Sequence, residues 1–332
     1  MTRRWTPRPR RAGSRVRVLF AGTPEIAVPT LEAIAGSDHE LAGVLTAPDR
    51  ARGRGRSVRV SPVKELALEL GVPVLQPESL RSEARREVSA LESDVLACFA
   101  YGRIFGPRFL KLFPHGGLNV HPSLLPRHRG PAPIPAAILA GDAETGVTIQ
   151  ELALEMDAGD ILAQERIPLT GTETTASLGE AVAPLGGRLL VDVLDALERG
   201  EARARPQDPS QATYTRLVEK EDGRIDWRAS ATTIDRMVRA YTPWPKAFTT
   251  WGDERLNILE TIPVGRVDDG HAAGEAVPGR VLRVDTENGV LVETGNGLLA
   301  LRKLQLQSRK PLEWRSFLNG VDGFIGAVLG GS

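Results

Sequence analysis

Cysteine is almost missing: Cys98 is the only one in 332 residues. An intrachain disulfide is therefore excluded, and no Cys/His cluster stands at zinc-ligand spacing, so no metal is expected. Both features suit a reducing, cytoplasmic setting. Net charge is also lacking, since 42 basic residues balance 42 acidic ones. That excludes a uniformly cationic nucleic-acid binder and shifts attention to where the arginines cluster. Apolar runs are short, none approaching the roughly 20 residues that cross a bilayer as a helix, so no membrane partner is expected. Acid is missing from the first fifteen residues, which hold Arg3, Arg4, Arg8, Arg10, Arg11 and Arg15. A transit peptide needs an amphipathic helix, and Pro7 and Pro9 break one, so 1–15 reads as a disordered extension.

What is present first is length enough for two domains. Short apolar runs at 16–20, 41–46, 72–75, 94–99 and 146–152 alternate with helical patterns that Ser61-Pro62 opens and Gly71 closes, then 82–91, 132–140 and 176–197. Strands alternating with helices imply a Rossmann-like, doubly wound, mostly parallel sheet, and the run at 94–99 is apolar throughout, as a strand buried on both faces requires. Ligands on such sheets lie beyond the carboxyl ends of the strands, here Gly22, Thr46, 100–102 and 119–121. A polar, Pro-containing stretch begins at Glu201. Beyond it come one helical pattern, 229–241, and short β runs at 247–251, 257–262, 280–284, 290–294 and 298–306, the pattern of a small barrel or sandwich, of which an OB-like β-barrel is the form expected. The expected organisation is a catalytic domain at 16–200, a linker at 201–221 and a barrel at 222–330.

Residues 119–130, NVHPSLLPRHRG, concentrate the reactive side chains. Asn119 and His121 are two apart, so on a strand both face the same way, and Pro122 keeps His121 extended. A neutral imidazole beside a carboxamide suits acyl transfer, where one group moves protons and the other stabilises a carbonyl oxygen as it turns negative. Asp160, after the Gly159 turn in a segment that also carries Asp157, is the expected third member, orienting His121. His39, His115, His128 and His271 have no comparable company and read as structural or exposed.

From 47 to 64 the chain reads APDRARGRGRSVRVSPVK, with Arg50, Arg52, Arg54, Arg56 and Arg59 against a single Asp49. The GRGR at 53–56 lacks the third glycine and the following helix of a dinucleotide loop. Arginines spaced by glycines suit a flexible arm that grips phosphates.

Taken in order, FAGTPE, PDRARGRGR with SPVK, FAYG, NVHPSLLPRHRG, GDAETGVTI, MDAGDIL, RIDW, YTPWPKAF and FLNG resemble the methionyl-tRNA formyltransferase family, from about Val16 nearly to the end. The HPSLLP core is shared with other folate-dependent formyltransferases, whose acceptors are small amines, amino sugars or water. The basic loop and the second domain point to tRNA. The resemblance implies 10-formyltetrahydrofolate as donor, the methionine α-amino group of initiator methionyl-tRNA as acceptor, and a monomer. It implies Asn119, His121 and Asp160 as the catalytic set. Folate contacts would come from Tyr101, Gly102, Ile104, Ser123, Leu124, Leu125, Pro126, Asp157, Ala158 and Gly159. Arg50, Arg52, Arg54, Arg56, Arg59 and Lys64 would contact tRNA, together with the C-terminal barrel. RIFGP after FAYG, His128 in place of an aromatic and PAPI in place of AAPI depart from the family pattern near the pocket rim. Neutralising Arg52, Arg54 and Arg56 together is expected to weaken acceptor binding and flatten its salt dependence, read from binding isotherms over a salt series.

Overall fold

The structure is a computed structural model describing residues 3–4, 15–52, 57–265 and 277–331, with backbone alone at 3–4, 50–52 and 57–59. It divides into two compact units, the first holding most of residues up to 216 and the second most of the remainder. Among the described residues, no helix is long and apolar enough to cross a membrane.

Among the described residues, the main sheet of the first unit has seven strands: β1 (Arg17–Gly22), β2 (Glu40–Leu45), β3 (Val74–Leu75), β4 (Val95–Phe99), β5 (Gly117–His121), β6 (Glu144–Glu151) and β7 (Ile161–Pro168). They lie in the order β7-β6-β5-β4-β1-β2-β3. The pairs from β5 to β3 are parallel, and β6 and β7 run antiparallel at one edge. Helices α1 (Val28–Ala35), α2 (Pro62–Glu69) and α3 (Ser82–Ala90) connect the parallel strands. Local chemistry sets their ends: Ser61 caps α2 by accepting from Lys64 N, with Pro62 in the first turn. All five residues of β4 are buried, as expected for a central parallel strand.

The 24-residue helix α6 (Thr175–Glu198) follows the shorter α4 (Pro107–Leu110) and α5 (Pro133–Ala140). It lies close on the sheet at Gly186, where an added Cβ would stand 2.7 Å from Val120 Cγ1. Val120 separates Asn119 from His121, so this contact seats the strand that carries both.

The second unit contains α7 (Ala231–Ala240) and an antiparallel sheet of β8 (Ala247–Trp251), β9 (Glu254–Val264), β10 (Val281–Asp285), β11 (Gly289–Glu293), β12 (Leu298–Leu306) and β13 (Leu312–Glu313). The order is β8-β9-β12-β11-β10, with β13 on β12. The gap between β8 and β10 is spanned by residues 326–330: Val281 N donates to Ala327 O, and Gly330 N to Thr250 O. The tail thereby completes the barrel expected for this domain. Phe324 meets Trp251 and Phe317 edge to face in its core.

One expectation about the chain's organisation needs correction. Residues 201–216 belong to the first unit, so the stretch read as a linker is tied to that unit although most of its side chains are exposed. Its Arg203–Ala204 pairs with Arg3–Arg4, Arg205 bridges to Ile161, and Tyr214 to Arg129. Polar composition misleads because the stretch is tied down by backbone pairing and by one side chain, Gln207, that makes buried hydrogen bonds. Of the expected 1–15 extension, residues 1–2 and 5–14 lie outside the described residues. Gly186→Ala is expected to push Val120 out of place and destabilise the protein by about 1–3 kcal/mol, measured from the denaturant midpoint.

Candidate active site

The pleat of β5 places Asn119 and His121 on one face, as their spacing requires. Antiparallel pairing then sets Gln150 of β6 opposite Asn119 and Thr148 opposite His121. The loop after Pro122 folds back over Thr148, whose hydroxyl donates to Ser123 O and accepts from Leu125 N. His121 is 4% exposed. Its Nε2 lies 3.0 Å from His128 O, and because a carbonyl only accepts, Nε2 carries the proton in the neutral ring. Nδ1 is then the basic nitrogen.

Facing Nδ1 at 3.7 Å is Oδ2 of Asp157. This corrects the expectation for Asp160: the acid at the imidazole is Asp157, three residues earlier, which the family resemblance assigned to folate. Asp157 has a left-handed φ of 51° on an irregular turn, a geometry that strand alternation could not anticipate. Asp160 stands where the chain rejoins the sheet, its carbonyl accepting from Glu151 N. Gly159 between them is obligatory, because a Cβ there would lie 1.8 Å from Glu151 O.

Among the described residues, three donors hold the Asp157 carboxylate. Gln150 Nε2 reaches Oδ1 at 2.8 Å and Asn119 Nδ2 reaches it at 3.3 Å. The backbone N–H of Gly130 reaches Oδ2 at 2.7 Å. The cluster offers an amide donor, a basic ring nitrogen and a fixed anion within one buried corner. That set can hold an oxyanion and move a proton between two nitrogens.

Comparison with known proteins assigns this corner to a family. The "Formyl transferase" pattern matches residues 14–194 and the "Formyl transferase, C-terminal domain" pattern residues 217–322. The methionyl-tRNA formyltransferase of Treponema pallidum is 49% identical over 323 residues, 95% of this chain and 99% of that one. That of Treponema denticola is 46% identical over 318 residues, 93% and 98% of the two chains. The chain belongs to the methionyl-tRNA formyltransferase family.

Solved structures agree on the fold. HypX from Aquifex aeolicus in complex with tetrahydrofolic acid superposes with a TM-score of 0.60 at 20% identity, covering 93% of this chain and 48% of that one. WlaRD, a sugar 3N-formyl transferase, gives 0.61 at 17%, covering 90% and 100%.

Several residues expected to serve the family's substrates have other partners. Asp157 O and Gly159 O turn inward and accept from Gln207. Ser123 Oγ donates to Arg127 O. Leu125 is buried, whereas Leu124 and Pro126 are half-buried. Lys64 pairs with Asp49 and donates to Gln76 Oε1 at 2.6 Å, so it is an internal tie rather than a free cation for tRNA. Arg54 and Arg56 lie outside the described residues. The flanking backbone forms a two-stranded ladder, with Arg50 opposite Arg59 and Arg52 opposite Ser57.

At the end of β4, Ile104 is 79% exposed and Gly102 is exposed beside it. Tyr101 stacks on Phe105 with ring centroids 5.3 Å apart. Its hydroxyl is buried without a hydrogen-bond partner among the described residues, and burial pushes its pKa up to about 12. Burial likewise pushes Cys98, next to Asn119 in the sheet, up to about 12, which keeps it a thiol and removes it as a nucleophile. Sequence reasoning missed Gln150, Gln207, Arg129 and the Gly130 N–H. Register could have found Gln150, since it stands across from Asn119; nothing local marks Gln207.

Burial holds the His121 pKa below its ordinary 6.5, against the opposing pull of Asp157 and the hydrogen bond to His128 O. The ring is therefore neutral at neutral pH. Between the lowered folded value and 6.5 the unfolded chain binds more protons, so this group's contribution to stability falls as pH drops through that window. An NMR titration of His121 is expected to show a midpoint under 6.5, displaced further down in Asp157→Asn, which removes an influence that raises it. An upward displacement would contradict the assignment.

Proposed function

We propose that this chain transfers the formyl group of 10-formyltetrahydrofolate to the α-amino group of methionine on initiator methionyl-tRNA, with Asn119, His121 and Asp157 as its catalytic residues. The single observation that carries the catalytic assignment is the Asp157 carboxylate facing His121 Nδ1 while Asn119 donates to its other oxygen.

The neutral amine attacks the formyl carbon. As the new C–N bond forms, the carbonyl electron pair moves onto oxygen, and the second N–H of Asn119 is free to stabilise that oxyanion. The attacking nitrogen gives up a proton to His121 Nδ1, the nitrogen left basic by the Nε2 bond to His128 O. Asp157 beside Nδ1 stabilises the imidazolium so formed. The imidazolium then delivers the proton to the departing folate nitrogen as the C–N10 bond breaks and the carbonyl reforms. The anion of Asp157 offsets the cost of a charged ring in a buried place, and burial returns the ring to neutrality for the next turnover.

The exposed apolar surface at Ile104 and the bare backbone at Gly102 suit the flat donor, with Leu124, Pro126 and Ala158 as further contacts. A small-amine acceptor, as in the sugar formyltransferases of like fold, is the competing reading. Near full-length identity to methionyl-tRNA formyltransferases and the C-terminal barrel favour tRNA. The barrel and the arginine loop are proposed to bind the acceptor tRNA, in a cytoplasmic monomer.

Incubation with 10-formyltetrahydrofolate and charged initiator tRNA is expected to yield formyl-methionyl-tRNA. Asn119→Ala, His121→Ala and Asp157→Ala should each lower turnover about a hundredfold or more. Asp160→Asn should lower it only a few-fold. Near-normal turnover in Asp157→Ala, with loss in Asp160→Asn, would reverse the assignment of the acid.

A further inference from the structure

The catalytic carboxylate proposed above sits on an irregular loop that the sheet ladder does not hold. What holds it comes from much later in the chain. Gln207 Nε2 donates to Asp157 O at 2.8 Å and to Gly159 O at 2.7 Å, and lies 3.4 Å from Gln150 Oε1. Its Oε1 accepts from Arg129 Nε at 3.1 Å and Nη2 at 2.8 Å. The residue has to be a carboxamide, since it meets carbonyl oxygens on one side and a guanidinium on the other. A glutamate would set an anion against two carbonyls. A lysine at 129 could not send two fixed N–H groups to one oxygen.

Arg129 is 3% exposed, and its Nη1 also donates to Tyr214 Oη at 3.1 Å. Its backbone is fixed by the same downstream segment: Arg129 N donates to Thr213 O and Thr215 N to Arg129 O. The neighbours of Arg129 touch the reacting corner directly, His128 through its carbonyl at His121 and Gly130 through its N–H at Asp157. Residues 207–215 fall between the two family patterns, which end at 194 and resume at 217.

We infer that Gln207 and Arg129 are positioning residues that hold the Asp157 loop so that its carboxylate faces His121. The inference rests on the proposed catalytic role of Asp157. Residues 207–215 are thus part of the catalytic apparatus, gripping the acid loop from one side and residues 128–130 from the other.

The test uses the full chain with Gln207→Met and Arg129→Lys, each alone and combined with Asp157→Asn. Each single variant should lower kcat about a hundredfold, the cost of a reacting group misplaced by about an ångström, with KM for 10-formyltetrahydrofolate changed less than about twofold. The His121 midpoint by NMR should move toward that of Asp157→Asn, which loss of fold stability alone would not produce. On the Asp157→Asn background, the added loss should shrink below about twofold, because the acid to be positioned is gone. Normal kcat in the single variants, or the full loss repeated on that background, would overturn the inference. Should Gln207→Met fail to fold, Arg129→Lys keeps charge and length and carries the same two outcomes. Full turnover in Asp157→Asn would instead sink the catalytic role of the acid, a result distinct from an inactive Asp157→Asn beside a normal Gln207→Met.

Discussion

The contact between the Asp157 carboxylate and His121 Nδ1 sets opposite requirements on its two partners. The ring must be buried enough to stay neutral and accept a proton, yet its conjugate acid must not be so costly that it never forms. The carboxylate supplies the compensation, provided it stays ionised and in place. Three donors satisfy its oxygens, and each comes from a different part of the chain: Asn119 on β5, Gln150 on β6 and the backbone of Gly130. The surrounding structure can be understood as the means of bringing those donors to one point.

The sheet does the first part. Parallel β4 and β5 end together, so their carboxyl ends share one edge, where the loop carrying exposed Ile104 leaves β4 and buried His121 closes β5. Reversal of direction at β6 brings Gln150 directly across from Asn119, a juxtaposition that a parallel neighbour with slanted bonds would not produce in the same way. Close seating of α6 at Gly186 keeps β5 from shifting under Val120. The loops do the second part. Left-handed backbone at His128 and Asp157 turns a carbonyl toward one ring nitrogen and a carboxylate toward the other.

Much of this was readable from local pattern. The alternation of β5 put Asn119 and His121 on one face because period two is a property of any strand. Apolar runs and capping residues placed the parallel sheet, α2 and the barrel strands within a few residues, since those signals act over one or two turns. Which acid faces the imidazole is not legible locally, because Asp157 and Asp160 flank a glycine turn with no period, where spacing does not say which carboxylate faces back. Lys64 looked like part of a cationic arm, but its ammonium meets Asp49 and Gln76, partners brought close by the ends of β2 and β3. Residues 201–216 read as a linker because most of their side chains do face water; backbone pairing and the single buried Gln207 are what tie them to the sheet.

The sequence by itself determined the class of chemistry and the architecture that carries it. A histidine two residues after an asparagine at a strand end, a proline loop behind them, and alternating strand and helix patterns are consequences of short-range stereochemistry. Only the tertiary structure decided which acid serves the imidazole, and that Gln207 and Arg129 hold the loop carrying it. Those contacts join residues separated by 36 to 78 positions, such as His121 with Asp157 and Arg129 with Gln207. Their geometry depends on where the folded backbone returns, which no local periodicity encodes.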